Sequence, residues 1–223
     1  MCGAGRSTPP DGLSSRTPHR CARGGVSRCP ERGSMLTTST DTSGREPDDR
    51  PLRRRGVQRL AYEQWGAGRS VWEAEIAGRD LAVDRLDVRE GAASEMAGQI
   101  LGPAGERVWI RSRRFVLDGK PVLLSTSYLP APLVEGTAIT EPDTGPGGVY
   151  ARLAELGHGP VRFREEVRSR MPLPEETAQL GLPAGTPVML ICRTAIADEG
   201  RVVEVNEMVL DAAAYVLEYN FDA

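Results

Sequence analysis

Hydrophobic and polar positions of residues 61–223 alternate with two different periods, which predicts strands interspersed with short helices. Alternation at every second position over 80–88 and 161–171 is typical of half-buried strands. Four further β-rich runs form two pairs, and each pair is joined by a short turn containing glycine, which predicts two hairpins. These runs are 107–117 with 121–129, across Asp118-Gly119-Lys120, and 186–197 with 201–210, across Asp198-Glu199-Gly200. A last strand is predicted over 214–221.

Three short segments between these strands have the composition of helices. They are 92–101, which Gly102-Pro103 ends, 149–156, which Gly157 ends, and 174–180. The third segment begins with a proline followed by two acids, which is the chemistry of a helix N-terminus. Two hairpins with short helices between them predict an α+β fold whose sheet is mostly antiparallel.

Residues 1–50 show neither period. Gly, Ser, Thr, Pro and Arg dominate them, and such a segment cannot bury enough apolar surface to offset the entropy of ordering it. We therefore expect a disordered basic tail over 1–50, a linker over 51–70 and a folded domain over 71–223. Met35 offers an alternative translation start within the tail.

Charge divides the chain in the same way. Residues 1–60 hold 12 Arg against six acids, a balance of +6. The whole chain has 28 basic and 31 acidic residues, so residues 61–223 carry 16 and 25, a balance of −9. A net negative chain is not expected to coat nucleic acid, but the tail leaves open a nucleic-acid binder that uses residues 1–60.

The sequence predicts a cytoplasmic protein with no membrane span. No apolar stretch approaches about 18 residues, and the first 30 residues lack the apolar core of a secretory signal. Cys2, Cys21 and Cys29 lie in the tail, whereas a disulfide framework would place its cysteines in the folded part. Cys192 lies in an apolar run and is interpreted as a small buried hydrophobe. We expect no metal site.

Candidate chemistry in residues 61–223 favours binding over catalysis. His158 is the only histidine there, in a glycine-rich turn, and no P-loop, HExxH or GxSxG motif occurs. No cofactor is therefore expected. One feature suggests a ligand: the glycines of 144–148 directly precede a predicted helix, where backbone N–H groups can converge on an anion. The same glycines could equally shape a tight loop.

Several segments resemble one known family. The strings EGTAI, DTGPGGVYARLAELGHG, FREEVRSRMPLPEETAQLGLPAGTPVMLICRTAIADEGRVVEV and RVWIRSRRFVLDGKPVLLSTSYLP resemble the UTRA effector-binding domain of GntR-superfamily transcription regulators, HutC subfamily. The resemblance covers roughly residues 60–221. It implies a chorismate lyase-like fold, a mostly antiparallel sheet flanked by short helices. It also implies a small-molecule effector bound between sheet and helices, and a homodimer.

The resemblance also implies ligand-binding positions. Arg113 matches an arginine that typically meets an acidic or hydroxyl group of the ligand. Tyr150 matches a tyrosine two residues after the position of Gly148, and Glu204 matches an acidic position near the start of the strand after the second hairpin turn. Ser125 stands where many relatives have Glu, and Gly148, beside Gly147, stands where members that bind sugar phosphates have Ser. Tyr215 matches a tyrosine near the C-terminus. Phe115 replaces a second arginine, so a small, mostly apolar or aromatic effector with one acidic group is expected rather than a sugar phosphate.

Full-length members of that family carry a winged helix-turn-helix before this domain, and residues 1–60 show no three-helix periodicity. We therefore expect the chain to bind DNA only weakly or indirectly, as a homodimer or as a heterodimer with intact relatives. Two alternatives stay open at this point: a small enzyme of the chorismate lyase type, and the tail-driven nucleic-acid binder.

Overall fold

The computed structural model describes residues 50–56, 60–67, 76 and 78–220. Within them lies a six-stranded sheet whose neighbouring strands are all antiparallel, in the order β2-β3-β4-β7-β6-β5. Its strands are β2 Leu81–Gly91, β3 Val108–Leu117, β4 Lys120–Pro130, β5 Arg162–Arg170, β6 Val188–Ile196 and β7 Val202–Asp211. A separate parallel pair consists of β1 Leu52–Arg55 and β8 Tyr215–Glu218. Both predicted hairpins are confirmed.

Short helices cover the sheet. They are α1 Tyr62–Trp65, α2 Glu95–Leu101, α3 Ala131–Val134, α4 Gly148–Glu155 and α5 Pro174–Leu180. Helix α2 begins where the Ser94 hydroxyl accepts a hydrogen bond from the Ala97 N–H at 3.1 Å. Helix α5 begins with Pro174, and the Glu176 carboxylate accepts a hydrogen bond from the Leu173 N–H at 2.7 Å. The α+β fold with short flanking helices is confirmed.

The two faces of the sheet bury different clusters. On the face that we call the outer face, α2 packs on Ile110, Tyr128 and Val205, and the end of α5 packs near Val188. On the opposite, inner face, one cluster includes residues of α1, α3 and α4. A second inner cluster joins the sheet to the β1-β8 pair. The inner face is therefore closed at both ends and open between them.

The segment that we interpreted as a linker, 51–70, contributes to these cores where the structure describes it. Leu52, Leu60 and Trp65 are 5%, 9% and 2% exposed. Strand β1 pairs with β8 from Leu52 opposite Tyr215 to Arg55 opposite Glu218. The predicted disordered tail, its three cysteines and Met35 lie outside the described part of the chain. Most of residues 1–60, where we expect no winged helix-turn-helix, lies outside it as well.

Cys192 on β6 is 5% exposed and packs under α2, which confirms its interpretation as a buried small side chain. Burial raises the pKa of its thiol to about 11. Among the described residues, no helix is both long enough and apolar enough to cross a membrane. No cluster of three or more His, Cys, Asp or Glu side chains suited to a metal ion occurs in that part either.

Candidate functional site

A row of polar residues crosses the inner face of the sheet, one from each of five neighbouring strands. Strand register places it in the order Arg111, Ser127, Asn206, Arg193 and Glu165. Arg111, Ser127, Arg193 and Asn206 are all at most 3% exposed. Buried polar side chains need hydrogen-bond partners. A row of them across the sheet therefore indicates a functional site rather than a part of the hydrophobic core.

A cavity of about 480 Å³ contacts Asn206 and Arg193 of this row and lies between the sheet, the start of β2 and the glycine-rich turn before α4. Its lining includes residues 143–150, Arg113, Arg193, Glu204 and Asn206 at the polar end, and Ile76, Leu81, Val83 and Phe115 at the apolar end. A mostly apolar pocket with a few convergent polar groups is the usual form of a small-molecule site.

Arg113 projects from β3 between the two ends of the cavity. Its Nη2 donates to the Ser127 hydroxyl at 3.2 Å, and its guanidinium carbon lies 5.7 Å from the centre of the Phe115 ring. The buried Nε donates no hydrogen bond to any described residue. Burial lowers the pKa of Arg113, and the Glu204 carboxylate partly offsets this shift. Arg113 is thus a cation with donor capacity to spare.

Glu204 on β7 is only 2% exposed and lines the same cavity. Its Oε2 accepts a hydrogen bond of 2.7 Å from the Tyr150 hydroxyl on α4. Burial, followed by the charge of Glu204, raises the pKa of Tyr150, so the phenol stays protonated and acts as a donor. The pair joins the helix to the centre of the sheet.

A buried ionic cluster contacts the Tyr150–Glu204 pair through Arg193. Arg54 Nη2 on β1 and Arg193 Nε on β6 both donate to Glu165 Oε1 on β5, at 2.7 and 2.9 Å. Both arginines are 1% exposed. Arg193 Nη1 also donates to the Tyr150 hydroxyl at 3.4 Å. The cluster therefore connects the N-terminal strand of the described fold with the wall of the cavity.

The glycine-rich turn closes the cavity and leads into α4. Gly147 has φ of 78° and Gly148 has φ of 67°, a left-handed backbone that side chains other than glycine rarely adopt. A serine at Gly148 would be strained, which gives a local reason for the glycine. Arg111 holds the approach to this turn, because its guanidinium donates to the carbonyl oxygens of Ile139, Glu141 and Pro142.

The structure brings together five of the seven residues that we expected to bind ligand: Arg113, Gly147, Gly148, Tyr150 and Glu204 all line the cavity. Ser125 does not line it. Its hydroxyl donates to Asn206 Oδ1 at 2.9 Å and so positions a residue that does. Tyr215, 4% exposed, packs in the neighbouring cluster with Leu52 and Phe115 rather than in the cavity wall.

Three polar contributors escaped the sequence analysis: Arg193, Asn206 and Asp143. Arg193 and Asn206 lie within the apolar strands VMLICRTAI and VVEVNEMVLD. A charged or amide side chain within an otherwise apolar strand is a signal for a functional site, and the sequence contains this signal at both positions. Asp143 lines the cavity and accepts a hydrogen bond from the Gly145 N–H at 2.8 Å, a local turn that the sequence does not separate from an ordinary loop.

Comparison with known proteins shows the family to which the chain belongs. A family model of the UTRA domain matches residues 77–216, the stretch that holds the six-stranded sheet, every cavity-lining residue except Ile76, and the first two residues of β8. The chain belongs to the UTRA domain family.

Relatives of this UTRA protein are transcription regulators. An HTH-type transcriptional regulator from Streptomyces coelicolor is 31% identical over 180 residues, which are 77% of this chain and 67% of the relative. An HTH-type transcriptional regulator from Mycobacterium tuberculosis is 31% identical over 131 residues, which are 55% of this chain and 46% of the relative. The chain thus spans about two thirds of the first and under half of the second.

A solved crystal structure agrees with these relatives. It is described as that of a GntR-family transcriptional regulator and superposes with a TM-score of 0.59 at 30% sequence identity. The match covers 66% of this chain and 63% of that chain. The recognition of a UTRA effector domain of the GntR superfamily, and with it the expected fold, is confirmed.

Proposed function

We propose that this UTRA domain is the effector-binding part of a HutC-type transcription regulator and that it responds to a small metabolite. The observation that carries the proposal is the convergence of Arg113, Tyr150 and Glu204 with the glycine-rich turn around one cavity of about 480 Å³. They come from β3, α4 and β7, which only the fold brings together. The effector is mostly apolar or aromatic and carries one acidic group.

Binding rather than catalysis suits this site. Tyr150 is held protonated by burial and engaged with Glu204, and Arg193 is held by Glu165. Groups fixed in one protonation state recognise a ligand well but exchange protons poorly. The acidic group of the effector is assigned to Arg113, and the apolar body to the end of the cavity with Phe115, Leu81 and Val83.

Replacing Arg113 with alanine is expected to weaken effector binding by about 1.5–3 kcal/mol, the range for hydrogen bonds to charged groups. An effector is first found by thermal-shift screening of the full chain against small organic acids, because a specific ligand raises the apparent stability. Calorimetry then compares the affinity of Arg113→Ala for this effector with that of the unmutated chain. Arg114→Ala is the matched control, since Arg114 binds Asp84 and the Gln179 carbonyl instead. Equal affinity of Arg113→Ala and the unmutated chain would contradict the proposal.

We also propose that the domain forms a homodimer. Strands β2 and β5 are the two edge strands of the six-stranded sheet, and Leu86 and Val167 on them are 41% and 44% exposed. Unpaired strand edges with apolar side chains favour symmetric pairing. Light scattering at micromolar concentration should give twice the chain mass of 24.1 kDa; a mass of one chain at high micromolar concentration would count against it.

A further inference from the structure

One oxygen of the Glu204 carboxylate receives no hydrogen bond from the part of the chain that the structure describes. Tyr150 donates to Oε2, and among the described residues Oε1 accepts no hydrogen bond and the carboxylate forms no ion pair. Glu204 is nevertheless 2% exposed and faces the cavity. A buried carboxylate without a counter-ion is costly, so the cavity is built to receive a donor at this point.

The neighbouring cations are engaged elsewhere. Arg193 is bound by Glu165, and Arg111 by three backbone carbonyls of 139–142. Arg113 lines the same cavity, where burial lowers its pKa and the Glu204 carboxylate raises it through space, yet the side-chain hydrogen bond of Arg113 goes to Ser127. The cavity thus presents an unpaired carboxylate and a cation with spare donors as two separate charges.

Resting on the proposed function, we propose that the effector carries an ammonium group bound by Glu204 as well as the acidic group bound by Arg113. It is a small zwitterion of the amino-acid type. A hydroxyl could also donate a hydrogen bond to Oε1, but an ammonium group adds Coulombic attraction to its hydrogen bond, and this attraction is less screened inside a protein than in water. An ammonium group therefore complements the carboxylate better than a neutral donor does.

The second polar wall supports the same orientation. Asn206, 3% exposed, turns its Oδ1 towards Ser125, so its amide NH₂ remains a donor in the same cavity. The donors of Arg113 and Asn206 together with the acceptor of Glu204 match a ligand with an acid and an amine. The apolar end at Phe115, Leu81 and Val83 takes the rest of the molecule.

The experiment uses sets of probes that share a carbon skeleton and differ in one group. Each set holds an amino acid, the corresponding hydroxy acid and the acid without either substituent; phenylalanine, phenyllactate and 3-phenylpropanoate form one set. Skeletons cover the branched aliphatic, thioether and aromatic side chains, and the amine stands one to four carbons from the acid. Thermal shift with the full chain ranks the probes, and calorimetry follows on the best set.

We expect at least one amino acid to stabilise the chain and to bind about 10- to 100-fold more tightly than the hydroxy acid of its set. Glu204→Gln should remove that preference, whereas Glu166→Gln, which changes an exposed side chain of β5, should keep it. The comparison of probes on the unmutated chain decides the matter even where Glu204→Gln does not fold.

Other outcomes separate the two proposals. If acids without an amine bind as tightly as their amino partners and lose binding in Arg113→Ala, the zwitterion is wrong and the proposed function stands. If the amino acids bind but Glu204→Gln leaves their advantage intact, the assignment to Glu204 is wrong. If no probe of any set stabilises the chain, the zwitterion proposal is overturned, and the broader acid screen decides the proposed function.

Discussion

Replacing Glu165 with glutamine is expected to lower the free energy of unfolding by about 3–5 kcal/mol, the usual cost of removing one partner from a buried ion pair. Glu165 Oε1 accepts hydrogen bonds from both Arg54 and Arg193, and these arginines are 1% exposed. A neutral amide leaves two guanidinium charges inside the protein with no carboxylate between them. Urea denaturation followed by far-ultraviolet circular dichroism measures the loss.

Glu166→Gln is the matched control for this experiment. Glu166 is the next residue on β5, so its side chain lies on the other face of the sheet, and it is exposed. The same change of charge should alter the free energy of unfolding by no more than about 0.5 kcal/mol. If the two variants lose similar, small amounts of stability, the ionic cluster does not hold β1, β5 and β6 together.

The strands and their turns could be predicted because their signals are local. Asp118-Gly119 sits at the tip of the first hairpin with positive φ at both residues, 48° and 82°, which is the conformation that such a pair favours. The second hairpin turns at Glu199 and Gly200, also with positive φ. Each strand and turn is specified by residues that are close together in the chain, so the sequence alone is enough to predict it.

The ionic cluster could not be predicted in this way. Arg54 and Glu165 are 111 residues apart, and their contact depends on the parallel pairing of β1 with β8 and on the position of the edge strand β5. Strand β1 has four residues, too few for a periodic pattern. Arg54 therefore looks like part of a solvated Arg-Arg-Arg run in the sequence, although it is almost fully buried in the fold.

The candidate site could likewise be predicted only in part. Arg113, Tyr150 and Glu204 were found through family motifs, and the fold places them in one cavity. Similarity of motifs gives the position of a residue in the chain but not the direction of its side chain. Tyr215 shows the difference, since it packs with Leu52 and Phe115. Ser125 shows it too, since it does not line the cavity and instead donates a hydrogen bond to Asn206, which does.

Replacing Trp65 with alanine is expected to lower the free energy of unfolding by about 3–5 kcal/mol, the range for truncating a buried Trp or Phe. Trp65 is 2% exposed, and its indole N–H donates to the Leu60 carbonyl at 3.3 Å. Its ring lies 6.2 Å from that of Tyr150 at 65°, an edge-to-face contact. Urea denaturation followed by circular dichroism gives the change without relying on tryptophan fluorescence.

This substitution tests where the folded domain begins. If residues 51–70 are only a linker, as we interpreted them from the sequence, Trp65→Ala will leave stability unchanged. Tyr62→Ala is the control on the same short helix. Tyr62 is 65% exposed and contacts the Trp65 ring edge-on at 4.8 Å, so we expect a loss of only about 1 kcal/mol in the free energy of unfolding.

Trp65→Ala should weaken effector binding as well, because Trp65 also packs against Tyr150, whose hydroxyl donates to Glu204. Lower stability with unchanged affinity would mean that the helix supports the core but not the site.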